Sequence, residues 1–527
     1  MKFPLGIQSF RQIREDGYVY VDKTDMVYSL VHEGKTYFLS RPRRFGKSLL
    51  VSTLEAYFLG HKELFKGLKI YSMETEWKTH PVFHLSFGGQ NFSEPYTLKA
   101  VLEEFVSMRE KEYGRNELAI TLESRFRSVI KNAYDKTGQR VAVLIDEYDK
   151  PLLDVMSSNV NVTLEGGSSM NIEKYNRELL KGFYSVFKEA DDYLQFVFLT
   201  GVTKFSQVSV FSGFNQPDDI SMTSRYETIC GITEEEMKES LTGPIEDMGK
   251  VYGCGFDRMV QILRKQYDGY HFSKSMAGVY NPFSLLKALK YSDIADYWFQ
   301  TGTPEYLSRL LISSNENLDE VAGKYYPSSQ FIDYEANKEM PLPMIYQSGY
   351  LTIKDYRPRT DTFLLDFPNN EVKRGFTALL AGNYLKSRED TKSFIAASVD
   401  ELYDGNIECF ISGLKSFFAS IPYSMHLKKD KERFFHYTFY LLLRLASTYV
   451  TYTEKQQSQG RVDCVIETDR FIYIIEFKLD GTAEDALQQI EDKGYTAKYA
   501  TDGRKLFKIG INFSSQTGTI SDWKVAE

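Results

Sequence analysis

Two short runs of this sequence carry residue types that bind and process phosphates. The first, RPRRFGKS at 41–48, follows the apolar run TYFLS and precedes LLVSTLEAYF, which has the pattern of a helix. Backbone N–H groups at Gly46, the ammonium of Lys47 and the hydroxyl of Ser48 are the groups with which a P-loop holds phosphate oxygens and magnesium. This context predicts a nucleotide site made by Arg44, Phe45, Gly46, Lys47 and Ser48, with Ser48 on the metal.

The N-terminal end of the same run departs from the pattern G-x-x-x-x-G-K-[ST]. Arg41 occupies the first glycine position, and Pro42 has no backbone N–H. That side of the loop therefore lacks the usual open backbone. Because a glycine turn capped by a serine would also read Gly-Lys-Ser, a second motif is needed to support the site.

The run VAVLI at 141–145 supplies that motif, because it ends in Asp146 and Glu147. A buried strand that emerges beside the phosphates has this pattern, although a solvated strand end has it too. We expect Asp146 to hold magnesium, directly or through water, and Glu147 to orient and deprotonate the attacking water. Thr200, at the end of the next apolar run, is expected to contact the γ-phosphate or that water. Thr203 is nearly as good a candidate, and either hydroxyl could instead cap a turn.

An arginine finger is not assigned from the sequence. Three arginines are candidates, and for each a surface charge or a structural ion pair is the favoured explanation: Arg43, Arg44 and Arg225.

A second group of charged residues lies near the C-terminus, in GRVDCVI at 460–466 and FIYIIEFK at 471–478. A hairpin of these two strands brings Asp463 close to the position opposite Glu476, so that both carboxylates can share a divalent ion. Lys478 shares a face with Glu476. Such a set activates water and stabilises charge on a scissile phosphate.

The alternative for this hairpin is a metal-free arrangement in which the carboxylates splay into solvent. We expect its chemically active face to lie opposite a packed face formed by Tyr473, Ile475 and Phe477. Glu432, at the start of a helical stretch, is predicted to complete the metal ligands, although a glutamate favoured by a helix N-terminus is an equal explanation. One of Gln488 and Gln489 is expected to face the site.

The pattern of apolar and polar residues predicts the helices and strands that position these groups. Apolar runs without polar alternation indicate buried parallel strands joined by helices: 36–40, 81–87, 141–145 and 194–200. The polar stretch 161–171 reads as an exposed loop. The segment from Gly231 has helical periodicity, and a hairpin with Arg357, Pro358 and Arg359 at its turn resembles a wing. We predict domains at 1–230, 231–390 and 391–527.

Composition limits the classes of function. The 527 residues, 42% hydrophobic and 26% charged, are typical of folded domains, and the formal charge of −8 confines nucleic-acid binding to local basic patches. The four cysteines form no metal-ligand spacing and indicate free thiols in a reducing compartment. No run has a signal-peptide or membrane-spanning pattern, so we expect a cytoplasmic protein without a membrane partner.

Several motifs together resemble the bacterial AAA-ATPase-like family, whose members often carry a C-terminal PD-(D/E)XK nuclease domain. They are YVDKT at 20–24, RPRRFGKSLL at 41–50, LIDEYDKP at 144–151, YDGYHF at 267–272, YNPFSLL at 280–286 and QSGYLTI at 347–353. GRVD, EFK and the glutamine-bearing helix are similar to the nuclease motifs. Val462 stands where that signature usually has proline. The family's phosphate loop itself begins RPRRFGKS, which accounts for Arg41.

The resemblance implies an α/β fold: a P-loop NTPase parallel sheet with helices on both faces, a mainly helical, winged-helix-like middle region and a restriction-endonuclease-like α/β domain. It implies that Lys47, Ser48, Asp146 and Glu147 serve ATP and Mg2+. Asp463, Glu476 and Lys478 would form the nuclease core, supported by Glu432, Glu454 and Gln489.

The function expected from both sites is ATP binding and hydrolysis coupled to a magnesium-dependent nuclease that acts on nucleic acid, DNA rather than RNA. A homo-oligomer is left open. The alternative is a nucleotide-driven regulatory switch whose C-terminal domain binds nucleic acid or protein without cleaving it. A weaker alternative gives that domain a purely structural role.

Overall fold

The chain folds into two compact units, Met1–Lys373 and Arg374–Glu527. The computed structural model describes residues 1–420 and 451–526 apart from 157, 165, 206–216, 301–306, 308–320, 333–340, 386–388, 454–455, 458–459 and 462. Glu432 and Glu454 lie outside the described residues. The domain boundaries near residues 230 and 390 stay predictions.

Fourteen described helices belong to the first unit or begin in it: α1 Phe10–Glu15, α2 Thr24–Glu33, α3 Lys47–Phe58, α4 Ile70–Met73, α5 Thr97–Tyr113, α6 Leu122–Thr137, α7 Lys150–Leu153, α8 Ile172–Glu189, α9 Glu234–Val251, α10 Phe256–Tyr267, α11 Pro282–Tyr291, α12 Tyr297–Gln300, α13 Leu342–Gln347 and α14 Asn370–Leu385. Its described strands are β1 Thr36–Ser40, β2 Val82–Ser86, β3 Val141–Asp146, β4 Asn161–Thr163, β5 Ser169–Asn171, β6 Leu194–Gly201, β7 Asp218–Asp219, β8 Lys324–Pro327, β9 Thr352–Arg357 and β10 Thr362–Asp366.

A five-stranded parallel sheet, flanked by helices, forms the centre of this unit, in the order β2-β3-β6-β1-β7. All six residues of β3 are buried, as the apolar runs predict for strands covered on both faces. Strand β6 lies between β1 and β3. The carboxyl ends of these three strands therefore meet at one edge, which brings together the three segments predicted to bind nucleotide.

The middle of the chain is mainly helical, as predicted. Helix α9 begins with a capping box in which Thr233 and Glu236 satisfy each other's backbone N–H groups. The predicted hairpin is present as β9 and β10, and β8 adds a third antiparallel strand to it.

The interpretation of 161–171 as a plain loop is wrong. Strands β4 and β5 pair there as a hairpin, with the turn at Gly166 and Gly167. Val162 is buried against Val155 and Ile172. The hairpin therefore packs against the rest of the unit through one apolar side chain, although the composition of the segment is mostly polar.

The described elements of the second unit comprise helices α15 Glu389–Asp404, α16 Ile407–Ser420 and α17 Ala483–Asp492, and strands β11 Thr451–Thr453, β12 Gln456–Gln457, β13 Gly460–Arg461, β14 Cys464–Glu467, β15 Phe471–Leu479, β16 Lys505–Ser514 and β17 Thr519–Ala526. Their five-stranded mixed sheet has the order β11-β14-β15-β16-β17, with β15 and β16 parallel.

Strand β15 is packed on both of its faces, which corrects the expectation of one packed and one active face. Tyr473, Ile475 and Phe477 lie in one core cluster, with residues of α15 and α16. Ile472 and Ile474, on the face of Glu476, are buried with Ile490 of α17. The chemistry predicted for this face is therefore confined to the end of the strand.

Within the described ranges, no helix is long and apolar enough to cross a lipid bilayer.

Candidate functional site

The phosphate loop joins β1 to the first turn of α3. Gly46 takes a left-handed conformation, with φ of 95°, immediately before the helix, a backbone geometry that favours glycine. The Lys47 ammonium donates to the carbonyl oxygens of Arg41, at 2.9 Å, and Pro42, at 3.1 Å. Burial lowers the pKa of Lys47, and the charges of Asp146 and Asp149 oppose that effect.

Two predicted cofactor-binding residues of the loop face in different directions. The Phe45 ring is buried against Tyr270, with ring centroids 4.7 Å apart, so that its side chain anchors the loop and its backbone is the part left for a phosphate. Arg44 is exposed, and its guanidinium lies 5.3 Å from the Phe283 ring. Ser48, which follows Lys47, is half-buried.

The two acidic residues at the end of β3 are held in different environments. Asp146 is buried, and its Oδ1 accepts the backbone N–H of Glu147 at 3.0 Å. Glu147 has a positive φ of 54°, uncommon for a residue with a side chain. This conformation turns the chain sharply at the edge of the sheet. The Glu147 carboxylate lies beside Gly88, where an added Cβ would be 3.4 Å from its Oε2.

Asp149, three residues further on, is the site residue that sequence reasoning missed. It is 1% exposed, and its Oδ2 accepts the backbone N–H groups of Val202 at 2.9 Å and Thr203 at 2.6 Å. Burial raises its pKa to about 6, and the neighbouring Lys47 charge opposes this. Asp149 therefore ties the segment after β3 to the segment that leaves β6. In the sequence Asp149 is visible only as the third acidic residue of LIDEYDKP, where its pattern resembles that of a helix cap.

The two threonines at the end of β6 are both fully buried, and within the part of the chain that the structure describes neither Thr200 Oγ1 nor Thr203 Oγ1 has a hydrogen-bond partner. Tyr148 fixes their backbones, because its N–H donates to the Thr200 carbonyl at 3.1 Å and its hydroxyl to the Thr203 carbonyl at 2.9 Å. A buried hydroxyl without a partner is costly. The pair is thus fixed in place with unused hydrogen-bonding capacity.

A cavity of about 500 Å3 opens beside the loop. Its polar wall is formed by Gly46, Lys47, Ser48, Glu147 and Asp149. Leu5, Ile7, Phe283 and Leu286 add an apolar wall. Phe45, Asp146 and Thr200 are not among its lining residues, so the predicted groups that meet in this cavity are Arg44, Gly46, Lys47, Ser48 and Glu147.

The residues around the cavity fit a nucleotide with magnesium. Backbone N–H groups at the start of α3 and the buried ammonium of Lys47 suit phosphate oxygens. The Ser48 hydroxyl, on the cavity wall, is an oxygen ligand of the kind that Mg2+ prefers, and so is the Asp146 carboxylate, which does not line the cavity.

Arg225 is placed on the surface, where it forms an ion pair with Glu33 of α2. Arg43 is exposed, and its carbonyl accepts the indole N–H of Trp298 at 3.0 Å. The ion pair accounts for the Arg225 side chain, whereas Arg43 and the third candidate, Arg44, both line the cavity beside the loop.

In the second unit the sheet register brings the predicted carboxylates together. Cys464 pairs with Ile475, so the residue before it, Asp463, lies opposite Glu476. The Asp463 N–H donates to Glu476 Oε2 at 3.3 Å, and Asp463 Oδ2 accepts the Phe477 N–H at 2.9 Å. Lys478 follows on the same face of β15.

Gln489 of α17 links the two other members of this group. Its side-chain amide donates to Glu476 Oε1, and its oxygen accepts the Lys478 ammonium. Gln488 instead bonds Asp492 on the exposed side of the helix, so the structure resolves which glutamine faces the site. Tyr495, buried close to Gln489 and Glu476, was missed from the sequence, because nothing in its spacing separates it from a core aromatic.

The charge balance of this second site favours a cation. Glu476 is 2% exposed, and burial, followed by the charge of Asp463, raises its pKa to about 8. Two carboxylates this close repel each other unless a proton or a metal ion lies between them. Among the described residues there is no cluster of three or more acidic, His or Cys side chains that could hold a metal ion, and the third predicted ligand, Glu432, lies outside that part of the chain.

The chain is 34% identical over 534 residues to the "Uncharacterized protein in vnfD 5'region" of Azotobacter chroococcum mcd 1, covering 98% of each protein. Residues 4–211 match the family described as "Predicted AAA-ATPase", and residues 430–523 match the "PD-(D/E)XK nuclease superfamily". The chain is an AAA-ATPase-like family member with a C-terminal PD-(D/E)XK nuclease domain.

For this AAA-ATPase-like protein the predicted fold class is confirmed. The matched N-terminal range contains the phosphate loop, β3 and β6, and the matched C-terminal range contains Asp463, Glu476 and Lys478. Among solved structures, the ORC1 protein of Aeropyrum pernix in complex with DNA is 9% identical, with a TM-score of 0.22, over 67% of this chain and 90% of that one. A TM-score this low carries no argument.

Proposed function

We propose that this protein binds and hydrolyses ATP in the cavity beside the phosphate loop and cleaves nucleic acid at the Asp463–Glu476–Lys478 site. The observation that carries the proposal is the convergence of Lys47, Glu147 and Asp149 on one cavity lined by Gly46 and Ser48. ATP binding there would explain why the chain buries the Lys47 ammonium, whose hydrogen-bond acceptors in the structure are the backbone carbonyl oxygens of Arg41 and Pro42.

In the first site each residue has a separate task. Lys47 and the N–H groups at the start of α3 bind phosphate oxygens, and Ser48 with Asp146 would hold magnesium, which neutralises charge on the phosphates. Glu147 orients the attacking water and accepts its proton. Thr200 stays the predicted contact to that water or the terminal phosphate, with Thr203 as the alternative, and neither residue lines the cavity. The apolar wall of Leu5, Ile7, Phe283 and Leu286 would receive the base.

The test of this half is nucleotide binding and phosphate release by Lys47→Ala beside Lys131→Ala. Lys131 is exposed and pairs with Asp135 on α6, so its variant changes one charge outside the cavity. We expect Lys47→Ala to lose binding or turnover and Lys131→Ala to match the unmodified protein. Hydrolysis by Lys47→Ala at the unmodified rate would refute the assignment.

In the second site Asp463 and Glu476 would hold magnesium, which activates water and neutralises charge at a scissile phosphate. Lys478 stabilises negative charge that develops on the phosphate. Gln489 holds both Lys478 and Glu476 in place and so keeps the ammonium beside the carboxylate. Glu432 stays the predicted third acid.

This half is tested by incubating single- and double-stranded DNA and RNA with magnesium or manganese, with and without ATP. Asp463→Ala should abolish cleavage, and Asp469→Ala, a change on the exposed turn before β15, should preserve it. Equal cleavage by Asp463→Ala would reveal another site or a contaminant. ATP hydrolysis without metal-dependent cleavage would instead support the regulatory switch. Action on DNA rather than RNA, self-association and a cytoplasmic location stay predictions.

A further inference from the structure

Arg41, which replaces the first glycine of the usual phosphate loop, has a buried side chain with an extensive hydrogen-bond network. The residue is 1% exposed. One terminal nitrogen, Nη1, donates to the carbonyls of Ser40 and Ser221, both at 2.8 Å. The other, Nη2, donates to the carbonyls of Tyr226, at 3.1 Å, and Glu227, at 3.4 Å. The guanidinium thus joins the end of β1 to the segment 221–227.

An aromatic ring completes this environment. The guanidinium carbon lies 4.1 Å from the centre of the Phe272 ring, a distance at which the ring face attracts a cation. Phe45, on the other side of the loop, also contacts Phe272, at 5.6 Å between ring centres. One aromatic side chain therefore contacts residues on both sides of the loop.

The backbone of Arg41, in contrast, belongs to the nucleotide site. Its N–H donates to the carbonyl of Gly201, at the end of β6, at 3.2 Å. Its carbonyl oxygen accepts the Lys47 ammonium at 2.9 Å. The side chain therefore fixes, from outside the site, a peptide that contacts both Lys47 and the strand of Thr200.

The next two residues of the loop are held in the same way. Pro42 packs so closely on Gly349 that a Cβ there would lie 2.6 Å from the proline ring. The Arg43 carbonyl accepts the Trp298 indole N–H. Three successive residues, 41–43, thus have contacts that hold them from outside the cavity.

We propose that Arg41 is a positioning residue that preorganises this loop for ATP. A glycine at this position would leave the backbone free, and ordering it would cost binding free energy. In this chain the guanidinium orders the backbone before nucleotide binds. Replacing Arg41 by glycine therefore weakens ATP binding, although it restores the common P-loop pattern. The inference depends on the proposed nucleotide site and adds a role that the pattern itself does not contain.

The experiment compares ATP affinity, by isothermal titration calorimetry, in the unmodified chain, Arg41→Gly, Arg41→Lys and Arg125→Gly. Arg125 is a matched control, because its guanidinium is also largely buried and makes a two-bond pair with Glu110 away from the loop. Circular dichroism and thermal melts show that each variant is folded at the temperature used. Titrations are repeated in millimolar guanidinium chloride.

We expect Arg41→Gly to bind ATP at least tenfold more weakly, a change of about 1.4 kcal/mol, and added guanidinium to restore part of the affinity. Arg125→Gly should bind ATP normally. Arg41→Lys should also bind weakly, since one ammonium cannot span both pairs of carbonyls, and this variant decides the matter if Arg41→Gly does not fold.

Unchanged affinity in the folded Arg41 variants, or an equal loss in Arg125→Gly, would overturn the inference. Affinity lost in Arg41→Gly and not recovered with guanidinium would also count against it. If the unmodified chain itself binds no ATP, the proposed nucleotide site fails instead, so the two failures are distinguishable.

Discussion

Replacing Glu476 by glutamine should make the metal-free second unit more stable in alkaline solution. The side chain is 2% exposed and lies beside Asp463. Glutamine has nearly the same size and carries no charge at any pH. The variant therefore removes a buried carboxylate that has a like charge as its neighbour.

The size and sign of the effect follow from the pKa of Glu476, which burial and then Asp463 raise from 4.5 to about 8. Because the folded protein keeps this proton to a higher pH than the unfolded chain, the stability contribution is complete below about pH 4.5 and is lost as the pH rises through about 8. The full difference corresponds to at most about 5 kcal/mol. Solvent screening at the edge of the site reduces the expected loss to about 2 to 3 kcal/mol.

Urea unfolding of the full chain in EDTA at pH 5 and pH 9 measures this effect. Labelling with fluorinated tryptophan gives a 19F signal for Trp523 in the second unit, whereas Trp77 and Trp298 report on the first. We expect equal stabilities at pH 5 and a more stable Glu476→Gln at pH 9. Magnesium at pH 9 should stabilise the unmodified protein and close that gap. Parallel pH profiles of the two proteins would refute the reasoning.

Three further changes test contacts in the two sites. Gln489→Ala should weaken Mn2+ binding about tenfold, because Glu476 and Lys478 lose the amide that orients them. Gln488→Ala should leave Mn2+ binding unchanged. Equal Mn2+ affinities of the two variants, measured by calorimetry, would contradict this prediction. Gly201→Ala places a Cβ 2.5 Å from Asp149 Oδ1 and should cost about 1 to 3 kcal/mol in chemical unfolding. Asp149→Ala leaves two buried N–H groups without acceptors and should slow ATP hydrolysis at least about tenfold, an effect absent from Glu110→Gln.

The strands of the first sheet could be predicted because a strand that is buried on both faces consists mainly of consecutive apolar residues. The run at 194–200 corresponds to β6 Leu194–Gly201. The order β2-β3-β6-β1-β7 depends on contacts between distant segments, and no local pattern contains it. The hairpin at 161–171 is not predicted from the sequence, because its packing depends on one valine, Val162, that contacts residues outside the hairpin strands.

Residue type and spacing predict candidate site residues, and two residues of the nucleotide site have roles that type and spacing do not reveal. Asp149 has the pattern of a helix cap, yet its carboxylate accepts the buried N–H groups after β6. Arg41 reads as a departure from a pattern, yet it bonds carbonyls 180 to 186 positions away. Side-chain direction and distant backbone partners are properties of the folded chain.

Three buried ionisable side chains differ in how the folded chain balances their charge. Arg41 has four carbonyl acceptors, and Asp149 has two N–H donors together with the charge of Lys47, so their neighbours stabilise the ionised forms. Glu476 also accepts two N–H groups and lies near the charge of Lys478, but burial and then the charge of Asp463 outweigh them and raise its pKa. Because two neighbouring carboxylates face the single charge of Lys478, a proton or a cation must balance the remaining negative charge, and we expect a metal ion to do so in this second site.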